Sequence, residues 1–122
     1  MKLNQLRSLL VPSGPVIDIH VHPLACFGPP SIESPADDAG RLIEAAQRTG
    51  VTRMVLFSLD TTTPYEPTHE QCVAANDYAL AMRDAAPGVF IPFCYVTPAE
   101  PRNAVHEINR CVRDHGMAGV KL

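Results

Sequence analysis

Four short apolar runs, beginning near Val16, Val51, Val89 and Met117, alternate with helix-forming stretches, and this order predicts an α/β fold of parallel strands joined by crossovers. Two further observations narrow it. Each strand-to-strand repeat takes about 30 to 40 residues, the size of one βα unit, so the chain matches the first four units of a partial TIM (β/α)₈ barrel. The alternative is a small doubly wound sheet, but no Gly-x-Gly-x-x-Gly follows any strand, which removes the usual nucleotide argument for it.

With 122 residues, 46% of them hydrophobic and 19% charged, the chain has the make-up of one soluble globular domain spanning 1–122. A formal net charge of -3 without any Lys/Arg cluster gives no footprint for nucleic acid or an anionic membrane, and leaves a small molecule as the expected partner. Cys26, Cys72, Cys94 and Cys111 form no Cys-x-x-Cys pair, so neither a zinc knuckle nor a thioredoxin-like motif is indicated. They read as reduced, mostly buried thiols or, in an oxidising compartment, as two disulfides. The polar start, Met1 to Arg7, is unlike a signal peptide and no apolar run reaches membrane-spanning length, so a cytoplasmic location is expected.

The elements follow in order. Leu3, Leu6, Leu9 and Leu10 recur at helical spacing up to Pro12-Ser13-Gly14-Pro15, predicting a short amphipathic helix that lids the core. The first strand starts at Val16 and stops at Pro23, which has no N–H for a ladder. Residues 24–33, holding Gly28-Pro29-Pro30, are expected to form a loop that is neither helix nor strand. Ser34 then caps a helix with Pro35 at its first position and Asp37 and Asp38 against its dipole. Ala39, Leu42, Ile43 and Ala46 form its buried stripe and Gly50 its stop. Residues 51–57 are the second strand and 58–67 a polar, hydroxyl-rich loop. Thr68 and Gln71 make a capping box for a long helix carrying Cys72, Ala75, Ala79 and Leu80, which ends before Pro87-Gly88. Residues 89–96 are the third strand, provided that Pro92 sits where no donor is needed. Thr97 and Glu100 repeat the capping box with Pro98 at the first helical position; Val105, Ile108 and Val112 give the buried face, Gly116 the stop, and 117–122 a fourth strand.

The chemistry concentrates in Val16-Ile17-Asp18-Ile19-His20-Val21-His22-Pro23, which reads as a buried strand. Alternation predicts Asp18, His20 and His22 on one face and Ile17, Ile19 and Val21 on the other. Residues two apart on a strand have Cα atoms roughly 6 to 7 Å apart, near enough for two imidazoles to meet one ion at about 2.0 to 2.1 Å. A single histidine in an apolar strand is ordinarily a core residue hydrogen-bonded to backbone. Two on one face beside a carboxylate are costly to bury unpartnered, and a divalent cation bound by His20 and His22 is the expected partner. Asp18 either orients one of these imidazoles or pairs with Lys121 or an amide. The pair lies at the C-terminal end of its strand, where ligands gather in both candidate architectures. His69, His106 and His115 fall in helices or at a helix end and are expected to face solvent or to serve structure.

Asp18-Ile19-His20-Val21-His22-Pro23, the Ala75-Asn76-Asp77 pattern, the 90–98 strand and turn, and the ending Gly116-Met117-Ala118-Gly119-Val120-Lys121-Leu122 together resemble the amidohydrolase superfamily, in its aminocarboxymuconate semialdehyde decarboxylase-like branch. His-x-His alone occurs in other metallohydrolases; its combination with the Gly-x-x-Gly-x-Lys-Leu ending carries the likeness. The resemblance implies a (β/α)₈ barrel with one divalent ion, usually zinc, on His20 and His22, completed by a histidine and an aspartate from later strands that this chain does not contain. It implies that Lys121, the candidate catalytic residue, faces substrate or supports structure; in other branches a carboxylated lysine bridges two metals. The implied chemistry is hydrolysis or non-oxidative decarboxylation of a small carboxylate, amide, ester or lactone by a metal-activated water, with this chain the N-terminal half and incomplete alone. The alternative is a non-catalytic metal-binding half-barrel module. Open edges on the first and fourth strands make association of copies a further expectation.

Overall fold

The computed structural model describes residues 2–28, 31–63 and 65–122. Strands β1 (Val16–Val21), β2 (Val51–Leu56), β3 (Phe90–Tyr95) and β4 (Gly119–Lys121) form one parallel sheet in the order β1-β2-β3-β4. Helices α1 (Leu3–Leu9), α2 (Leu24–Phe27), α3 (Pro35–Thr49), α4 (His69–Ala85) and α5 (Pro101–Ile108) accompany it, and α5 runs on into a π-helical stretch, Asn109–Asp114. Sequential parallel strands with helices on one side are half of a barrel wall, as the βα spacing predicts. Met54 and Leu56 of β2 and Phe90 and Cys94 of β3 are buried with Ala39, Ala46, Ala79, Leu80, Met82, Ala104 and Cys111 of the helical layer. The opposite face of the sheet is the inner one. Among the described residues no helix is long and apolar enough to cross a membrane.

Local signals hold well in α3 and α4. Ser34 accepts from the Asp37 amide at 3.1 Å with Pro35 behind it, and Gly50 closes the helix at φ 78°, a left-handed conformation that a Cβ would disfavour. Thr68 and Gln71 form the predicted reciprocal box. Pro92 is accommodated because its carbonyl receives the Ala118 N–H on the β4 side at 3.0 Å. A strand residue's N–H and C=O face the same side, so the missing donor points to where β4 has not yet begun. All four cysteines are free thiols, Cys72, Cys94 and Cys111 being buried; burial pushes the Cys72 thiol up to about 11.

Other expectations are overturned. α1 does not lid the core: Leu3, Leu9 and Leu10 are each more than half exposed. A helical turn, α2, interrupts the expected loop after Pro23, while Pro29 and Pro30 lie outside the described residues. α5 starts at Pro101 rather than Pro98, because the carboxylate of Glu100 is spent on the His69 amide of α4 and on Asn103. Thr97 instead closes a local turn on the Ala99 amide. The buried face of this last helix is Ala104, Glu107 and Cys111, with Ile108 and Val112 packed beside them against the core as expected; Val105 is 59% exposed. A buried glutamate is invisible to a hydrophobic pattern, and its partners come from α4.

β1 departs most from plain alternation. It is an edge strand, with Ile17 44% and Ile19 75% exposed. Asp18 lies opposite Met54 and Val21 opposite Leu56, so β1 carries one residue more than β2 over this interval, a β-bulge. Met54 and Leu56 both point into the helical layer, so Asp18 and Val21 share that side. Asp18 accordingly lines a cleft of about 210 Å³ against α3 with Val21, Leu42 and Ala46. It does not continue the His20–His22 face.

On the inner face, the Phe93 ring lies over Gly119, where an added Cβ would sit 2.6 Å from Phe93 Cε2. Glycine is thus what lets β4 lie flat against β3 at this register, Phe93 opposite Gly119. Gly119→Ala is expected to cost about 1 to 3 kcal/mol, read as a lower urea midpoint, with Phe93→Leu in the same chain recovering part of it.

Candidate metal centre

The ladder between β1 and β2 ends with the Phe57 amide donating to Val21 O at 2.8 Å. The next residue, His22, turns its ring back onto the same peptide region, Nδ1 standing 2.7 Å from Phe57 O. A carbonyl only accepts, so Nδ1 carries the hydrogen and Nε2 presents its lone pair outward. That lone pair faces the His20 Nε2 at 3.1 Å, with the rings edge to face and their centroids 4.9 Å apart. Two nitrogens each about 2.05 Å from a common ion and 3.1 Å apart subtend about 98° at it, between the octahedral and tetrahedral angles. The donor set and its spacing therefore fit a divalent cation. His20 is exposed and His22 half-buried, so the point between them is open to solvent and ligand.

The pair sits against aromatic rings on the inner face. Phe57 lies 5.0 Å from the His20 ring and 5.1 Å from Phe93, and Phe27 lies 5.1 Å from the His22 ring on the other side. Lys121 stands two residues beyond Gly119 on β4, so strand alternation puts it on the face that the Phe93 ring covers, half-buried. Asp18 Oδ1 accepts the His20 amide at 3.0 Å, an N–H within the bulge, so of the uses the sequence leaves open it takes the backbone one. His69 is half-buried at the start of α4, and His106 and His115 are exposed. Among the described residues no group of three His, Cys, Asp or Glu converges on one point.

Sequence reasoning missed the groups that hold this end of the sheet in place. Asp38, read only as a charge against the α3 dipole, is fully buried and accepts from the Leu24 amide at 2.9 Å, the Ala25 amide at 3.0 Å and the Tyr78 hydroxyl at 3.0 Å. Burial and that bond to Asp38 push the Tyr78 hydroxyl well up, so it stays a donor. Asn76, also fully buried, grips the end of β3 with both ends of its amide, accepting from Tyr95 N at 2.7 Å and donating to Tyr95 O at 2.9 Å. It replaces a strand where β2 has already ended. The Phe57 carbonyl is a backbone group, and no sequence signal points to it.

The amidohydrolase family model matches residues 17–122, nearly the whole chain. The chain belongs to the amidohydrolase family. No curated protein matches it. Among solved structures, the 2,6-dihydroxybenzoate decarboxylase from Rhizobium is similar with a TM-score of 0.65 at 19% identity, covering 87% of this chain and 37% of that one. The same enzyme type complexed with 2,6-dihydroxybenzoate gives 0.62 at 19% identity, with the same coverage. A dihydroxybenzoic acid decarboxylase from Polaromonas sp. JS666, with bound manganese and the inhibitor 2-nitroresorcinol, gives 0.59 at 20% identity. At these identities the likeness shows a common fold, and this amidohydrolase chain spans 37% of the length of each of those structures.

Proposed function

We propose that this chain forms the metal-binding first half of a divalent-metal-dependent decarboxylase acting on a small hydroxylated aromatic acid. The observation that carries the reading is the 3.1 Å approach of the His20 and His22 Nε2 atoms, with His22 Nδ1 committed to Phe57 O. The similar structures named above are decarboxylases of dihydroxybenzoates, one of them with manganese, which supports the substrate class and a divalent ion of unspecified identity. When bound, such an ion would supply the positive charge that polarises a substrate oxygen or a water, a role that serves decarboxylation and hydrolysis alike.

The chain's own residues supply the rest of the reading. His20 and His22 hold the cation, and the Phe57 carbonyl keeps His22 in the tautomer that presents Nε2. Phe57 and Phe93 offer an aromatic wall beside it on which a planar ring can stack. Lys121, on the same face, meets the substrate carboxylate with its ammonium. In the overall change the aryl–carboxylate bond breaks, carbon dioxide leaves and a proton takes its place on the ring. Two imidazoles are fewer than the three protein ligands usual for a catalytic zinc, so the chain alone is expected to bind zinc or manganese at 1:1 with micromolar or weaker affinity.

The test is complementation. Supplying the remaining βα units from the Rhizobium decarboxylase, in trans or by fusion, is expected to yield metal-dependent carbon dioxide release from 2,6-dihydroxybenzoate that His20→Ala removes. Retained zinc binding without turnover in a folded assembly would leave a metal-binding module and overturn the enzymatic reading.

A further inference from the structure

We infer that Asp38 is a positioning residue for the metal ligands, acting through the turn that follows them. The inference rests on the metal-binding reading of His20 and His22 and deepens it. α2 begins two residues after His22, and Pro23 at its N-cap position offers no side-chain hydrogen bond. Its first amides have no acceptor within α2 itself. Asp38, thirteen and fourteen residues further along the chain and fully buried, takes both of them, Leu24 N on Oδ1 and Ala25 N on Oδ2, while Tyr78 OH donates to Oδ2.

His22 is therefore held from both sides. On the strand side the Phe57 amide fixes Val21 O, and on the helix side the Asp38 carboxylate fixes Leu24 N. Between these anchors lie only His22 and Pro23; Pro23 is buried, with φ -52° and ψ 141°. The ring of His22 reaches Phe57 O only while that short span keeps its course. Asp38 also ties α3 to α4 through Tyr78, so the turn is referred to the rigid helical layer and not to the open edge of the sheet.

Asp38→Asn keeps the size of the side chain but sets an NH₂ group against one of the two amides, so one bond to the turn is lost. In the full chain it is expected to weaken zinc binding by about tenfold, at the lower end of the range for groups that orient metal-ligating histidines. It should also remove the slowly exchanging His22 Hδ1 signal from the proton–nitrogen spectrum of the metal-free protein. Tyr78→Phe, which leaves both amide bonds, should shift both readouts less and in the same direction. Ala81→Gly on the exposed side of α4 loosens the fold without touching the turn and should leave both readouts unchanged.

If folded Asp38→Asn keeps zinc affinity within twofold and a protected His22 Hδ1, the positioning role is wrong. If Asp38→Asn does not fold, unchanged readouts in Tyr78→Phe overturn it equally. Should the wild-type chain bind no zinc, the metal reading fails separately, while the His22 Hδ1 signal still decides what Asp38 does.

Discussion

His20→Ala, His22→Ala and the double variant are expected to lose 1:1 zinc binding while keeping the secondary structure of the parent chain, with the urea midpoint unchanged in His20→Ala and only slightly lowered where His22 is replaced. Structural zinc sites give about 10 to 16 kcal/mol over four ligands, so one imidazole is worth about 3 kcal/mol, or more than about 100-fold in affinity. With only two imidazoles meeting here, loss of one leaves a single monodentate ligand, no better than any surface histidine. The fold should tolerate this because His20 is exposed, its contact with His22 lies at the open surface, and the His22 Nδ1 bond to Phe57 O is of ordinary net strength, about 1 kcal/mol. Isothermal titration with zinc, beside circular dichroism, checks both halves. Undiminished binding in the double variant would move the metal elsewhere and remove the basis of the proposed function.

The second large effect lies away from the metal, at Glu107. This side chain is 1% exposed, accepts from Arg110 at 2.7 and 2.8 Å, from Asn76 at 2.9 Å and from Cys111 at 3.2 Å, and Arg110 reaches on to Asp77 at 2.8 Å. Burial alone would raise the carboxyl, but the bonds from Arg110, Asn76 and Cys111 outweigh it and bring it from 4.5 down to about 2. A depressed carboxyl stabilises the fold fully above its ordinary value. That contribution, about 3 kcal/mol, is lost as pH falls from 4.5 through about 2. Urea unfolding at pH 7 and at pH 2.5 should show the loss, and Glu107→Gln should flatten that pH dependence. Glu107→Ala, which strands the Arg110 guanidinium and the Asn76 amide, is expected to cost about 3 to 5 kcal/mol, a large share of the 5 to 15 kcal/mol typical of a whole domain. Equal stability of Glu107→Ala and the parent at pH 7 would show that the buried network contributes nothing.

What could be read from the residues was whatever is decided within a few positions along the chain. Ser34-Pro35, Thr68 with Gln71, and Gly50 each satisfy or release a backbone group next to them, so their roles are written locally. His20-Val21-His22 is of the same kind, since two residues of extended chain suffice to bring two imidazoles to one point. The βα spacing belongs here as well, because each unit reports its own length whatever it later packs against.

Tertiary structure decided everything whose partner lies far off in sequence. Whether Asp18 shares a face with the histidines turned on one extra residue in the pairing with β2, and whether Glu107 or Val105 faces inward turned on an asparagine and an arginine waiting to receive a carboxylate. The amides after His22 found their acceptor in Asp38, and the His22 ring found its acceptor in the Phe57 carbonyl, 35 positions away. A buried charge or an unpaired N–H can be stable only where such a partner stands, and that is a property of the packed chain, not of any stretch of it.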